Sequence, residues 1–313
     1  MSEEKNSAET YHLDQLSPTQ KLVQMLSPVP GIACAHEQVF SAVTLTRETP
    51  RIFGGQVLAQ AIVSAAHTVE NKQIHSLHGY FLRPGNVDDP LSYGVESLNE
   101  ARSFATRRVQ AYQNGAPIFS AIASFQSEAR GPEHSSDFPM NVPDPELLPT
   151  AADLLGHIDL PMAQKVAYTR PFDVRHIATP LYTSPATSPT PTNMVWFKTF
   201  EPLPDDPTLH QAALAYASDY TQLEPVLRNH GKSWLEPGMK VASLDHAMWF
   251  HRPARADRWL LLVQESPSAQ DARGLSIGRI FTASGKHVAT VAQEAMLRLP
   301  EYRSLNGSSN GSS

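Results

Sequence analysis

Between Gln38 and Thr46, Val39, Ser41, Val43 and Leu45 fall on one face and Phe40 on the other, an alternation that predicts a strand. From Val57 to Val69 the period changes. Leu58, Ile62, Ala65, Ala66 and Val69 recur at helical spacing, so this stretch reads as an amphipathic or largely buried helix. Its small residues suit it to lie close against a sheet. Alternation returns at about 74–82, 91–98 and 103–112, and again from Pro117 to Phe125 after an Asn114-Gly115 turn. One long helix followed by an antiparallel meander predicts an α+β plan, the sheet curled around the helix.

The same order of elements then recurs. Val195 to Phe200 reads as a strand, and Asp206-Pro207 is a good cap for a helix from about Thr208 to Leu223. Strands follow at about 241–250, 259–265, 274–282 and 287–298. Arg83-Pro84 and Arg252-Pro253 lie 169 residues apart, and the turns Asn114-Gly115 and Ser284-Gly285 lie 170 apart. A nearly constant offset over that distance predicts one domain written twice. Ahead of the first copy, Ser17-Pro18 starts a short helix that runs to about Leu26. Between the copies, residues 127–191 hold 11 of the 26 prolines. Within that segment Ala151 to Leu155 is a candidate helix, Phe172 to Ile177 a candidate strand and Thr183 to Thr192 a flexible loop. The expected division is a disordered start at 1–16, a first domain at 17–130, a proline-rich linker at 131–170, a second domain at 171–300 and a disordered tail at 301–313.

Composition narrows the class. A chain of 313 residues with 41% apolar content can build two ordinary cores. Its net charge of -6 argues against nucleic acid as the partner and shows no polybasic membrane patch. Cys34 is the sole cysteine, which excludes internal disulfides and multi-cysteine zinc sites. Met1 to Ser7 is acidic without an apolar run, and no stretch approaches the roughly 20 apolar residues of a membrane span, so a cytoplasmic protein without membrane insertion is expected.

Three polar positions break the apolar pattern of the second half. Asp219 shares a helix face with Ala212, Ala215 and Leu223, the face that should meet the sheet. Gln293 shares a strand face with Ala289, Val291, Ala295 and Leu297, and the 170-residue offset sets it against Ala123 in the first copy. Ser243 opens an aromatic strand two residues before Asp245. An acid at a helix end can instead turn to solvent, and a buried amide can simply tie strand to helix. Together, an acid, a hydroxyl and a carboxamide could align one water on an electrophilic carbonyl, with no metal or other cofactor required. Backbone N–H groups at a helix start or glycine loop could meet the oxyanion. Gly54 and Gly55 offer such a start, where the missing side chains permit close backbone approach. No serine sits in a Gly-x-Ser-x-Gly elbow. His75, His78, His246 and His251 have no coherent metal-ligand spacing. Arg102 is one of several arginines that could meet a phosphorylated ligand.

These residues carry a resemblance. Arg51-Ile-Phe-Gly-Gly-Gln-Val, His75-Ser-Leu-His-Gly-Tyr-Phe-Leu-Arg-Pro-Gly, Tyr216-Ala-Ser-Asp, Leu235-Glu-Pro-Gly, Leu244-Asp-His-Ala-Met-Trp-Phe-His-Arg-Pro and Gln293-Glu together resemble the acyl-CoA thioesterase II family, in order, from about residue 17 to 299. The resemblance implies a double hotdog, two tandem copies of a long helix wrapped by an antiparallel sheet. It implies hydrolysis of fatty acyl-CoA to free acid and CoA, with Asp219, Ser243 and Gln293 catalytic. Serine stands where the family often has threonine. It also implies acyl-CoA contacts from Gly54, Gly55, His78, Arg102 and His246, an acyl tunnel beside the second helix, and assembly into a homodimer or homotetramer. The alternatives are an acyl-CoA hydratase or dehydratase, for which His246 beside Asp245 would serve, and a non-catalytic acyl-CoA binding protein.

Overall fold

The computed structural model describes residues 15–45 and 50–302. The expected N-terminal and C-terminal disorder falls almost wholly outside them. Helix α1 (Pro18–Met25) begins with a capping box, Ser17 accepting from the Gln20 N–H and the Gln20 side chain accepting from Ser17 N–H. It buries Leu22 and Met25, while Ser17 Oγ donates to Glu201 Oε2 at 2.8 Å and so reaches into the second half of the chain.

The first copy contains β1 (Val29–Pro30), β2 (Glu37–Ala42), α2 (Gly54–Ala66), β3 (Gln73–Phe81), β4 (Leu91–Glu100), β5 (Phe104–Gln113) and β6 (Ala116–Gln126). Between the copies, α3 (Ala151–Leu155) and α4 (Pro161–Tyr168) pack as a small apolar cluster of their own around Leu155, Val166 and Tyr182. The second copy follows with β7 (Phe172–His176), β8 (Thr192–Thr199), α5 (Pro207–Ser218), α6 (Glu224–Asn229), β9 (Lys240–Ser243), β10 (Asp245–Phe250), β11 (Leu260–Gln270), β12 (Arg273–Thr282) and β13 (His287–Arg298).

All of these strands join one sheet, in the order β1-β2-β4-β5-β6-β3-β10-β13-β12-β11-β8-β7, with β9 beside β13. The sheet wraps two central helices that pack on each other. One core spans both copies, from Leu58, Ile62, Leu77 and Phe119 to Ala212, Ala215, Met248 and Val291. The chain is a tandem double hotdog.

The copies meet where β3 and β10 run antiparallel, with His78 paired to Ala247. Those two residues are themselves 169 apart, the offset of the repeat, so the internal two-fold axis passes through that pair. The duplication persists down to individual hydrogen bonds. Arg83 Nη1 donates to the carbonyl of Pro117, and Arg252 Nη1 donates to the carbonyl of His287.

Two elements differ from the pattern expected of them. The helix expected to reach Leu223 stops at Ser218, with Asp219 as its C-cap, and α6 starts afresh at Glu224. Pro225 lacks an N–H and its ring crowds the preceding turn, so a single helix cannot run through it. The strand expected over 241–250 is broken. Ser243 pairs with Ala295 while Ala247 pairs with Ala292, so one extra residue lies between the two ladders, a β-bulge at Leu244 and Asp245. Asp245 Oδ1 takes the Glu294 N–H at 2.6 Å.

Among the described residues no helix is long and apolar enough to cross a membrane.

Candidate functional site

The N-terminus of α2 meets the C-terminus of α5. The N-cap residue of α2 is Phe53, whose side chain can accept nothing, so the first N–H groups of the helix lack a cap from their own copy. Asp219 fills that role. Its Oδ2 accepts from Gly55 N–H at 2.7 Å, and the positive end of the α2 dipole favours the ionised carboxylate there. The glycines make the approach possible. A Cβ on Gly55 would lie 2.5 Å from the Tyr216 carbonyl oxygen, and one on Gly54 would lie 2.8 Å from Asp219 Oδ2. Aromatic rings brace the contact. Phe53 stacks on Tyr220 with centroids 5.1 Å apart and meets Tyr216 edge-on at 5.0 Å, and Arg170 sits 4.5 Å over the Tyr220 ring.

From the sheet side, Gln293 on β13 is buried and its Nε2 donates to Ser243 Oγ at 2.8 Å. Ser243 and His246 are three residues apart, and on a regular strand they would face opposite sides. The bulge at Leu244 and Asp245 turns both toward Gln293, whose Oε1 lies 2.5 Å from His246 Nδ1. His246 Nε2 lies 3.2 Å from Ser218 Oγ, on the residue before Asp219. Ser243 and Gln293 are thus tied through His246 to Ser218, the residue before Asp219. Burial drives the His246 pKa down to about 4, against a weaker opposing pull from the Gln293 bond, so the imidazole is neutral at physiological pH. Burial likewise raises the Asp245 carboxyl above its ordinary value.

The other expected substrate contacts scatter. His246 is 1% exposed, its ring held between Gln293 and Ser218. His78 is exposed on the outer face of the sheet, edge-on to Trp249 at 4.8 Å. Arg102 is exposed in the β4–β5 turn, beside the start of β3. The end of β3 that meets Leu244, through Phe81 N–H, is a strand length away, roughly 26 Å.

Sequence reasoning missed Ser218 and the buried polar cluster beyond it. Gln264 accepts from Asn193 and Thr221 and donates to Gln222. Glu224 is held by His176, Asn193 and Trp234. Desolvation opposes the Glu224 charge, but His176, Trp234 and Arg228 outweigh it and keep the carboxyl below its usual range. The run Thr221-Gln222-Leu223-Glu224 is polar on an otherwise buried turn, and that was the available signal. Ala295, two residues along β13 from Gln293, belongs to an apolar cluster with Leu223, Val226, Leu227 and Leu297.

Two family models match the chain, one described as acyl-CoA thioesterase over residues 181–296 and one as acyl-CoA thioesterase N-terminal domain over residues 45–126. Acyl-CoA thioesterase 2 of Haemophilus influenzae is 39% identical over 80% of this chain and 89% of its own length. Human acyl-coenzyme A thioesterase 8 is 36% identical over 80% of this chain and 81% of its own. Among solved structures, acyl-CoA thioesterase II TesB2 of Mycobacterium marinum superposes with a TM-score of 0.73 at 40% identity, covering 89% of this chain and 98% of that one.

Proposed function

The chain belongs to the acyl-CoA thioesterase II family, and on that footing we propose that it hydrolyses fatty acyl-CoA to free fatty acid and CoA by water directed from Asp219. The carboxylate of Asp219 takes a proton from the water as its oxygen attacks the thioester carbonyl carbon. Ser243 and Gln293 take up the remaining hydrogen bonds of that water and fix its line of attack. The carbonyl oxygen becomes an oxyanion, which the Gly54 N–H at the start of α2 meets, at the positive end of the helix dipole. Collapse re-forms the carbonyl, breaks the carbon–sulfur bond and returns the proton from Asp219 to the departing thiolate. As the family resemblance implies, the acyl chain lies beside the second long helix, α5, and CoA lies across the junction of the copies.

The observation that carries this reading is the hydrogen-bonded series Ser243–Gln293–His246–Ser218, which ends on the residue before a carboxylate held at a helix start. It also weighs against a dehydratase, because the His246 ring is buried and turned toward Gln293 and Ser218. A cytoplasmic location and assembly into a homodimer or homotetramer belong to the same proposal; light scattering on the purified chain tests the assembly.

The deciding experiment is thiol release from saturated acyl-CoAs of four to eighteen carbons, with wild type beside Asp219→Asn. Turnover by the wild type should fall by about 100- to 10,000-fold in the variant, with the fold retained. Tight acyl-CoA binding with no turnover by the wild type would sink the hydrolase and leave a carrier.

A further inference from the structure

His246 uses both ring nitrogens and is buried from solvent. Its Nδ1 lies 2.5 Å from Gln293 Oε1 and its Nε2 lies 3.2 Å from Ser218 Oγ. Gln293 Nε2 donates onward to Ser243 Oγ at 2.8 Å. The series Ser218–His246–Gln293–Ser243 therefore runs from the residue before Asp219 to the hydroxyl placed on the reacting water. A neutral imidazole carries one N–H, so only two proton arrangements satisfy this series.

In the first, the N–H is on Nδ1 and donates to Gln293 Oε1, and Nε2 accepts from the Ser218 hydroxyl at 3.2 Å, whose proton then turns from the Ala215 carbonyl 2.9 Å away. The Gln293 amide then donates to Ser243, and the proton of Ser243 stays available to the reacting oxygen. In the second, the N–H is on Nε2 and donates to Ser218, whose own proton goes to the Ala215 carbonyl, 2.9 Å away. The Gln293 carboxamide is then turned over, and the Ser243 proton is spent on its oxygen. The two differ in what the site offers: a hydroxyl donor or a lone pair.

We propose that the first arrangement holds, and that His246 is a positioning residue whose Nδ1–H fixes the Gln293 carboxamide with its NH2 toward Ser243. The carboxamide stands with Oε1 toward Nδ1 and Nε2 toward Ser243 Oγ, and in that orientation only an Nδ1–H pairs with Oε1. No other donor side chain is hydrogen-bonded to that oxygen among the described residues. The inference rests on the reading that Gln293 and Ser243 hold the hydrolytic water, and it assigns the polarity with which they do so.

The test is the tautomer of His246 in the full-length, uniformly 15N-labelled protein, its ring signals assigned by their loss in His246→Asn. The expected spectrum is the Nδ1–H tautomer, unchanged between pH 8 and about pH 5.5. An Nε2–H tautomer, or an imidazolium at neutral pH, would overturn the proposal. Kinetics give the second arm. His246→Leu should lower kcat by roughly 10- to 100-fold with KM within about twofold, since misplacing a reacting group by ~1 Å costs about that much. His246→Asn keeps a donor at the Nδ1 position and should recover most of the lost kcat. A Leu variant with wild-type kcat, or an Asn variant no better than Leu, would overturn it too. If the Leu variant fails to fold, the wild-type tautomer decides. If the wild type hydrolyses no acyl-CoA, the thioesterase reading fails while the tautomer remains readable.

Discussion

Asp219 Oδ2 accepts a hydrogen bond from Gly55 N–H at 2.7 Å, across 164 residues of chain, so a carboxylate of the second copy caps the helix of the first. Gly55→Ala tests that contact. The added methyl would fall 2.5 Å from the Tyr216 carbonyl oxygen and from Phe53 Cε1, with backbone on one side. Overpacking of this kind costs about 1–3 kcal/mol. The variant should melt several degrees lower and lose most of its turnover on the best acyl-CoA. An Ala variant with wild-type melting temperature and kcat would mean the helices part easily.

Ser243 and Gln293 are predicted to act as a unit. Gln293→Ala removes the donor to Ser243 Oγ, and Ser243→Ala removes its acceptor. Each change should lower kcat by roughly 10- to 100-fold, and the double variant should be little worse than either alone. Multiplying losses would show that the two side chains contribute separately. Ser243→Thr keeps the hydroxyl and restricts its rotamer, so it should stay within about threefold of wild type.

The buried His246 makes stability fall in acid. Unfolded, the ring protonates near pH 6.5; folded, it resists to about 4. The unfolded state therefore binds the proton first, and stability is full above pH 6.5 and declines as pH falls toward 4. The loss is roughly 3 kcal/mol at 1.36 kcal/mol per unit. His210, His251 and His287 are shifted in the same direction, so the His246 share is isolated by comparison. Urea unfolding at pH 7 and pH 4.5 should show a smaller acid loss for His246→Asn than for wild type. Equal losses would place the titration elsewhere.

A cut between the copies should not separate them. The segment 127–139, between β6 and the helices that precede the second copy, has no regular secondary structure, whereas β3 and β10 pair over five residues and the core is shared. A protease site inserted between Arg130 and Gly131 should yield two fragments on a denaturing gel. They should still co-elute as one species and retain turnover. Dissociation after the cut would show that the linker, not the sheet, holds the halves together.

Much of this architecture was legible because periodicity survives burial. The β6 alternation from Phe119 to Phe125 is dictated by one face meeting the core, and α2, buried all round from Gly55 to Ala65, still shows Leu58, Ile62 and Ala65 at helical spacing. The constant offset then placed Ala123 opposite Gln293. Helix α4 was hidden among prolines, although Pro161 stands in its first turn, where a missing N–H costs nothing. The bulge left no mark. Nothing in Ser243-Leu244-Asp245-His246 announces an extra residue, and without it Ser243 and His246 fall on opposite faces. The partners of Asp219 were equally out of reach, because the Gly55 contact depends on how two helices cross and not on the composition of either.

That crossing has a hereditary consequence. An ancestral pair of identical chains would carry two equivalent sites, and either chain could be replaced by a copy of the other. Here the first copy has Ala123 where the second has Gln293, while the second relies on Gly54 and Gly55 of the first. Each has given up what its twin retains. A change at Gly55 and a change at Asp219 strike the same hydrogen bond from opposite copies. Neither half can be deleted as the spare.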